Sequence, residues 1–94
     1  MYRFKAEVWR HDSSGGWFFV TVPGSVSEEI RLLFGELEEG WGRLKASATI
    51  GGSNWESAIW YDTKLESYLL PLKAEIRKKE DLVTGKIITV QLKI

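Results

Sequence analysis

Residues 43–50 alternate strictly: Leu44, Ala46, Ala48 and Ile50 are apolar, while Arg43, Lys45, Ser47 and Thr49 are polar. A side-chain period of two is that of an extended strand with one buried face. The same alternation recurs at both ends of the chain. Tyr2, Phe4, Ala6 and Val8 alternate with Arg3, Lys5 and Glu7. Ile88, Val90, Leu92 and Ile94 alternate with Thr89, Gln91 and Lys93. The chain is therefore built on half-buried strands.

The segments between them complete the pattern. The first strand is predicted over Tyr2–Arg10, and the polar stretch His11–Gly16 is a turn. Trp17–Val22, aromatic and β-branched, is a second strand that pairs with the first as an antiparallel hairpin. Pro23 and Gly24 end it. Ser25 and Glu28 have the spacing of a capping box, and Val26, Ile30, Leu33 and Phe34 follow at helical spacing. A helix over 26–34 is expected, with Gly35 as its C-cap. Glu36–Gly42 is a loop. Gly51-Gly52-Ser53 is a hairpin turn leading into a strand over 54–61, with Trp55, Ser57, Ile59 and Tyr61 on one face. A short strand over 66–70 is closed by Pro71, a second helix spans 72–81, and the last strand spans 86–94. The order is β-β-α-β-β-β-α-β. The predicted fold is mainly β: one domain over residues 1–94, forming a small six-stranded antiparallel barrel, closed or partly open, with its ends plugged by two short helices.

Composition removes several functions. There is no cysteine, which excludes disulfides, thiol catalysis and cysteine-bound metal centres. A secreted domain of this size would often carry disulfides, so a cytoplasmic location is expected. The charged and apolar alternation of Met1–Arg10 is unlike a signal peptide, and no apolar run approaches the length of a membrane span. Thirteen basic and thirteen acidic residues cancel, which weighs against nucleic-acid binding. The charges are unevenly placed. Residues 28–39 hold five glutamates against Arg31, and residues 73–94 hold six cations against three acids. Asn54 and Gln91 are the only amides among ten Glu and eight Lys, a thermophile tendency.

No catalytic constellation is apparent. His11 is the sole histidine and stands in a turn beside Asp12, Ser13 and Ser14, where sequence neighbours rarely converge into a nucleophile–base arrangement. Glu36, Glu38 and Glu39 lack the spacing of a metal site. Glu7, Glu56 and Glu66 lie on or beside strands and could in principle face one another as a glycosidase pair, but outward positions paired across the sheet explain them as well. Gly51-Gly52-Ser53 has neither the lysine nor the spacing of a phosphate loop. No cofactor and no metal are expected.

One basic and aromatic constellation remains. Lys73 and Arg77 are four residues apart, near the start of the second helix, and so share a face. Free amides at that helix start would also favour an anion. Trp55 and Tyr61 share a strand face, and Trp17 is expected close by. A barrel mouth lined by these rings and two cations suits a small anionic or aromatic ligand, or a peptide. The expected function is a non-enzymatic binding module acting through Lys73, Arg77, Trp55, Tyr61 and Trp17. The alternative is a protein-interaction or assembly module, a monomer or weak homo-oligomer associating through a strand edge or through Trp9, Trp41 and Trp60. Single-stranded nucleic acid on exposed rings is a third possibility, opposed by the charge balance.

Several stretches together carry a family resemblance. They are Phe4-Lys5-Ala6, then Trp17-Phe18-Phe19-Val20-Thr21-Val22-Pro23 leading into a helix, then Leu44 through Gly52 before an aromatic strand. Leu70-Pro71-Leu72-Lys73 and the Gly85 that opens the last strand complete the set. The chain resembles, over nearly its whole length, the prokaryotic family of domains of unknown function DUF1905. The resemblance implies a small β-barrel and no assigned activity. The chain departs from the family in having Lys86, where members tend to place an acid, and in the acidity of the Glu36–Gly42 loop. Some relatives have an additional helical segment associated with protection or stress responses; none is read in these residues.

Overall fold

The alternating segments pair into one antiparallel sheet in the computed structural model, whose described residues are 1–11 and 16–94, less the Trp41 side chain. The strands are β1 (Tyr2–Glu7), β2 (Trp9–Arg10), β3 (Phe18–Thr21), β4 (Arg43–Ile50), β5 (Ser53–Asp62), β6 (Ser67–Pro71) and β7 (Ile87–Lys93). Two helices, α1 (Gly24–Phe34) and α2 (Ala74–Lys79), and two 3-10 turns at Gly35–Leu37 and Gly40–Gly42 occupy the connections. The strand order is β1-β7-β4-β5-β6-β3-β2.

β1 and β2 stand at opposite ends of this sheet, yet only Val8 separates them in the chain. They are two halves of one bent strand. Tyr2–Glu7 pair with β7, whereas Trp9 and Arg10 pair with Phe19 and Phe18 of β3. Val8 is fully buried at the bend; its N–H donates to Lys86 O at 2.9 Å, and its carbonyl accepts from Gly85 N–H at 2.8 Å. The sheet thus curls into a nearly closed barrel. The expected first strand, 2–10, is therefore split, and the strand segments number seven rather than six. The expected hairpin with β3 is made by two residues only. A first strand paired along its length with one neighbour would leave both sheet edges open; the bend lets it serve both. The turn residues Asp12–Gly15 lie outside the described residues.

The inward faces of the strands meet in one apolar core. Leu44, Ala46, Ala48 and Ile50 of β4 and Ile88, Val90 and Leu92 of β7 are buried, as their alternation predicts, with Phe4, Val20, Ile59 and Leu70. α1 covers one end of the barrel with Ile30, which is fully buried. The expected capping box does not form. Pro23 occupies the N-cap, so the helix starts at Gly24, and no side chain caps it. Ser27 turns inward instead: its hydroxyl donates to Val22 O at 3.0 Å and accepts the Tyr68 N–H at 3.0 Å. These two bonds fix the helix rotation so that Ser27, Ile30 and Phe34 face the barrel, and Leu33, expected in the core, is 62% exposed. Gly35 has φ −56° and continues into a 3-10 turn rather than forming a left-handed cap.

At the other end, Leu72 extends the strand pattern: it is buried, and its N–H donates to Phe18 O at 2.8 Å. α2 is consequently shorter than the expected 72–81. Lys86 donates from Nζ to Asp81 O at 3.1 Å, which satisfies a carbonyl just beyond α2. That contact accounts for a cation at the start of the last strand.

Candidate functional site: a cationic cleft at the barrel end

β3, β5 and the β6–α2 junction surround a cleft of about 320 Å³. Trp17 and Phe18 come from the start of β3, Trp55 and Glu56 from β5, and Lys73 and Arg77 from the junction and α2. Alternation along β3 sends Trp17 outward, where it is 57% exposed, and Phe18 inward with Val20 and Val22. Trp55 is 8% exposed, so its indole is a wall of the cleft and part of the core.

The two expected cations differ in role. Lys73 is exposed and places its ammonium group at the rim. Arg77 is half-buried and held in place: its guanidinium carbon lies 3.9 Å from the Phe18 ring centroid, and Nε donates to Leu72 O at 3.0 Å. A guanidinium over a ring face is attracted by the ring quadrupole. The Nη groups of Arg77 make no hydrogen bond to the described residues. Arg10 adds a third positive charge, 5.9 Å from the same ring centroid. The Arg10 guanidinium also lies against the loop: a β-carbon at Gly16 would stand 3.3 Å from its Nη2. Glu56 is the one acid lining this cleft, among the described residues. The arrangement sets an oriented guanidinium and an exposed ammonium beside aromatic walls, a chemistry complementary to an anion that has a ring or an apolar group.

Lys73, Arg77, Trp55 and Trp17 thus come together as expected, and Tyr61 does not. Tyr61 lies six residues beyond Trp55 on β5, roughly 20 Å along an extended strand. It belongs to the opposite end of the barrel. There the Arg31 guanidinium carbon sits 3.7 Å from its ring centroid, and Tyr68 meets it edge-on at 5.1 Å. A separate groove of about 690 Å³ runs past Tyr61, Arg31, Glu28 and Leu65. Sharing a strand face did not mean sharing a site, because β5 runs the length of the barrel. The expected contribution of the second helix's amino end also falls away: α2 has six residues, too few for an effective dipole. Sequence reasoning missed Phe18 and Arg10. The alternation with Val20 and Val22 marks Phe18 as inward, and the expected hairpin of the first two strands already sets Arg10 opposite it.

A second aromatic group covers the outer face of β2 and β3. Trp9 and Phe19 are cross-strand partners with ring centroids 5.2 Å apart. Trp9 Nε1 donates to Thr21 Oγ1 at 3.0 Å, and its ring lies 6.3 Å from that of His11. Trp17 and Phe19 lie in nearly parallel planes, 15° apart, with centroids 6.4 Å apart. A shallow groove of about 360 Å³ runs between Trp17, Phe19, Trp60 and Leu69 beside His11. Trp9 and Trp60 are half-buried in this group rather than free-standing.

The acidic candidates disperse. Glu7, Glu56 and Glu66 are exposed and line three different grooves, because they sit on different strands and barrel ends. Glu38 accepts a hydrogen bond from the Tyr68 hydroxyl, and Glu39 pairs with Arg43 at 3.1 Å. Among the described residues, no group of three or more His, Asp or Glu could hold a metal ion. No helix among them is long and apolar enough to cross a membrane.

No curated protein shows detectable sequence similarity to the chain. The family model of DUF1905, described as a domain of unknown function, matches residues 4–92, and the chain belongs to that family.

Proposed function

We propose that this domain is a non-enzymatic binding module that holds an anionic ligand in the barrel-end cleft. The observation that carries the reading is the half-buried guanidinium of Arg77. It is oriented by Phe18 and Leu72 O with its Nη donors unclaimed by described residues, beside the exposed Lys73 and Trp17. A cation fixed in this way loses little entropy when an anion arrives. Trp55 supplies an apolar wall, and Arg10 reinforces the field. The absence of cysteine supports a cytoplasmic setting.

A thermal-shift screen of the purified domain tests the reading, with aromatic carboxylates, phosphorylated metabolites and nucleotides as probes. A ligand specific to the folded form raises the melting temperature by mass action. The expected result is a shift with anionic compounds that disappears in Lys73→Glu. Anionic compounds that produce no shift, or a shift unaffected by Lys73→Glu, refute it.

The second reading is self-association, favoured by Leu32, Leu33 and Leu37, which are 83%, 62% and 67% exposed on α1 and the turn after it. Contiguous exposed apolar side chains mark contact surfaces. Sedimentation that stays monomeric into the high micromolar range counts against it.

A further inference from the structure

The cleft and the outer aromatic groove share a residue: Trp17 lines both. We infer that the two form one continuous site for a short peptide, with a carboxylate among Lys73, Arg77 and Arg10 and its aromatic or proline residues lying on Trp17, Phe19 and Trp60. The inference rests on the cleft being an anion site and adds the identity of the occupant.

Shape comes first. The groove past Phe19 and Trp60 lies on the outside of a barrel. A shallow, open groove leaves much of a small molecule in water, whereas such a ligand usually needs most of its surface buried. A chain laid across the face can bury successive side chains. The platform's rings are also packed on one another. Trp9 is tied to Thr21 Oγ1 and packs on Phe19, and the Trp17 and Phe19 rings already lie nearly parallel. Flat rings presented in one orientation suit aromatic and proline side chains, as in grooves that take polyproline segments.

Charge separates a peptide from the other chains that could lie there. Lys73, Arg77 and Arg10 cluster at the cleft end, with Glu56 beside them, and Trp17, Phe19, Trp60 and Leu69 carry no charge; Arg43, the cross-strand partner of Trp60, is paired with Glu39. A nucleic-acid strand places a phosphate at every nucleotide and needs cations along its path. A polysaccharide needs hydrogen-bonding side chains along the platform. Thr21 Oγ1 is already engaged by Trp9, and His11, whose ring lies beside Trp9, stands at one end of the groove rather than along it. A peptide with one acidic end and an apolar remainder matches both halves.

The test is selection from a random-peptide library on the folded domain, followed by titration of a synthetic hit. Enriched sequences should place a side-chain or C-terminal carboxylate beside aromatic or proline residues. Affinity should fall about tenfold or more in Lys73→Glu and again in Trp60→Ser, which touches only the outer groove. Because Trp60→Ser could disturb folding, the indole N–H signals of the unaltered, isotope-labelled domain are followed as well; those of Trp17 and Trp60 should move together. Loss in Lys73→Glu without any response at Trp60 refutes the continuous site and leaves the cleft as an anion site. Loss at Trp60 with no response in Lys73→Glu refutes both. Absence of enriched peptides, or tighter binding of oligothymidylate than of any peptide, refutes the peptide occupant.

Discussion

The Tyr68 hydroxyl, at the tip of a side chain with no exposed surface, donates a hydrogen bond to the Glu38 carboxylate. Tyr68 projects from β6, and Glu38 belongs to the connection between the two 3-10 turns. The bond therefore ties the acidic loop to the barrel wall. Burial and then the neighbouring carboxylate push the Tyr68 pKa well above its ordinary value. A pKa raised by folding means that the folded form disfavours ionisation. The resulting stability is whole below the unfolded pKa of about 10 and is lost as pH rises beyond it. Melting temperatures should be flat through neutral pH and fall above about pH 10. Tyr68→Phe should lower stability at neutral pH, by about 1.5–3 kcal/mol for a hydrogen bond to a charged acceptor, and should flatten the alkaline fall. An alkaline limb unchanged in Tyr68→Phe would assign it to other groups.

Ser27→Ala isolates the bridge between α1 and the sheet. The hydroxyl serves Val22 O and Tyr68 N–H together, and Ser27 is fully buried. Alanine leaves a buried amide without an acceptor, at a cost of roughly 2–3 kcal/mol. Hydrogen exchange at the Tyr68 amide should accelerate more than at amides of β4 or β7. Equal acceleration everywhere would mean that the bond reports global stability alone.

Gly51 is held to glycine by two independent constraints. Its φ is +57°, and a β-carbon there would collide with Glu80 Oε1. That carboxylate is fixed in turn by Ser53 Oγ, which donates to Oε2 at 2.6 Å. Gly51→Ala should therefore cost about 1–2 kcal/mol for the left-handed backbone, plus the displaced Glu80 contact. In a Glu80→Ala background the second part vanishes, and the remaining cost should be that of the backbone. A double-mutant cycle by thermal or chemical denaturation measures the difference; additive costs would show that Glu80 moves aside freely.

The strands were legible because each carries its own signal. Arg43–Ile50 alternates through its whole length, and its observed bounds are those its sequence predicts. The hairpin at Gly51 and Gly52 is likewise local. What the sequence hid was relational. The alternation of the first segment stops at Val8, where apolar Trp9 and charged Arg10 invert its phase, but a break in phase does not by itself specify a bend; the bend is needed because two sheet edges must meet. Leu33 fits an apolar helical stripe, but the stripe's orientation is set by Ser27 bonding to Val22 and Tyr68, both outside the helix. The cleft was half legible for the same reason. The Lys73 and Arg77 spacing, the Leu70-Pro71-Leu72 entry and the hairpin that sets Arg10 opposite Phe18 are local, whereas the position of Tyr61 depended on strand length.

Lys73 and Arg77 should respond differently to substitution, although both line the cleft. Lys73 is exposed and its ammonium group makes no hydrogen bond or ion pair with a described residue, so Lys73→Ala should change stability by less than about 0.5 kcal/mol. Arg77 covers the Phe18 ring and satisfies the Leu72 carbonyl. Arg77→Ala removes both contacts and should cost about 1–3 kcal/mol. Arg77→Lys should recover only part of the loss, because an ammonium can neither lie flat over the ring nor reach the carbonyl in the same geometry. Loss of ligand in Arg77→Ala alone would therefore confound binding with folding. Lys73→Ala is the cleaner probe: it should weaken an anionic ligand while leaving the melting temperature of the free domain in place. Thermal melts of the three variants with and without ligand decide the matter. Equal destabilisation by Lys73→Ala and Arg77→Ala would overturn the division of roles.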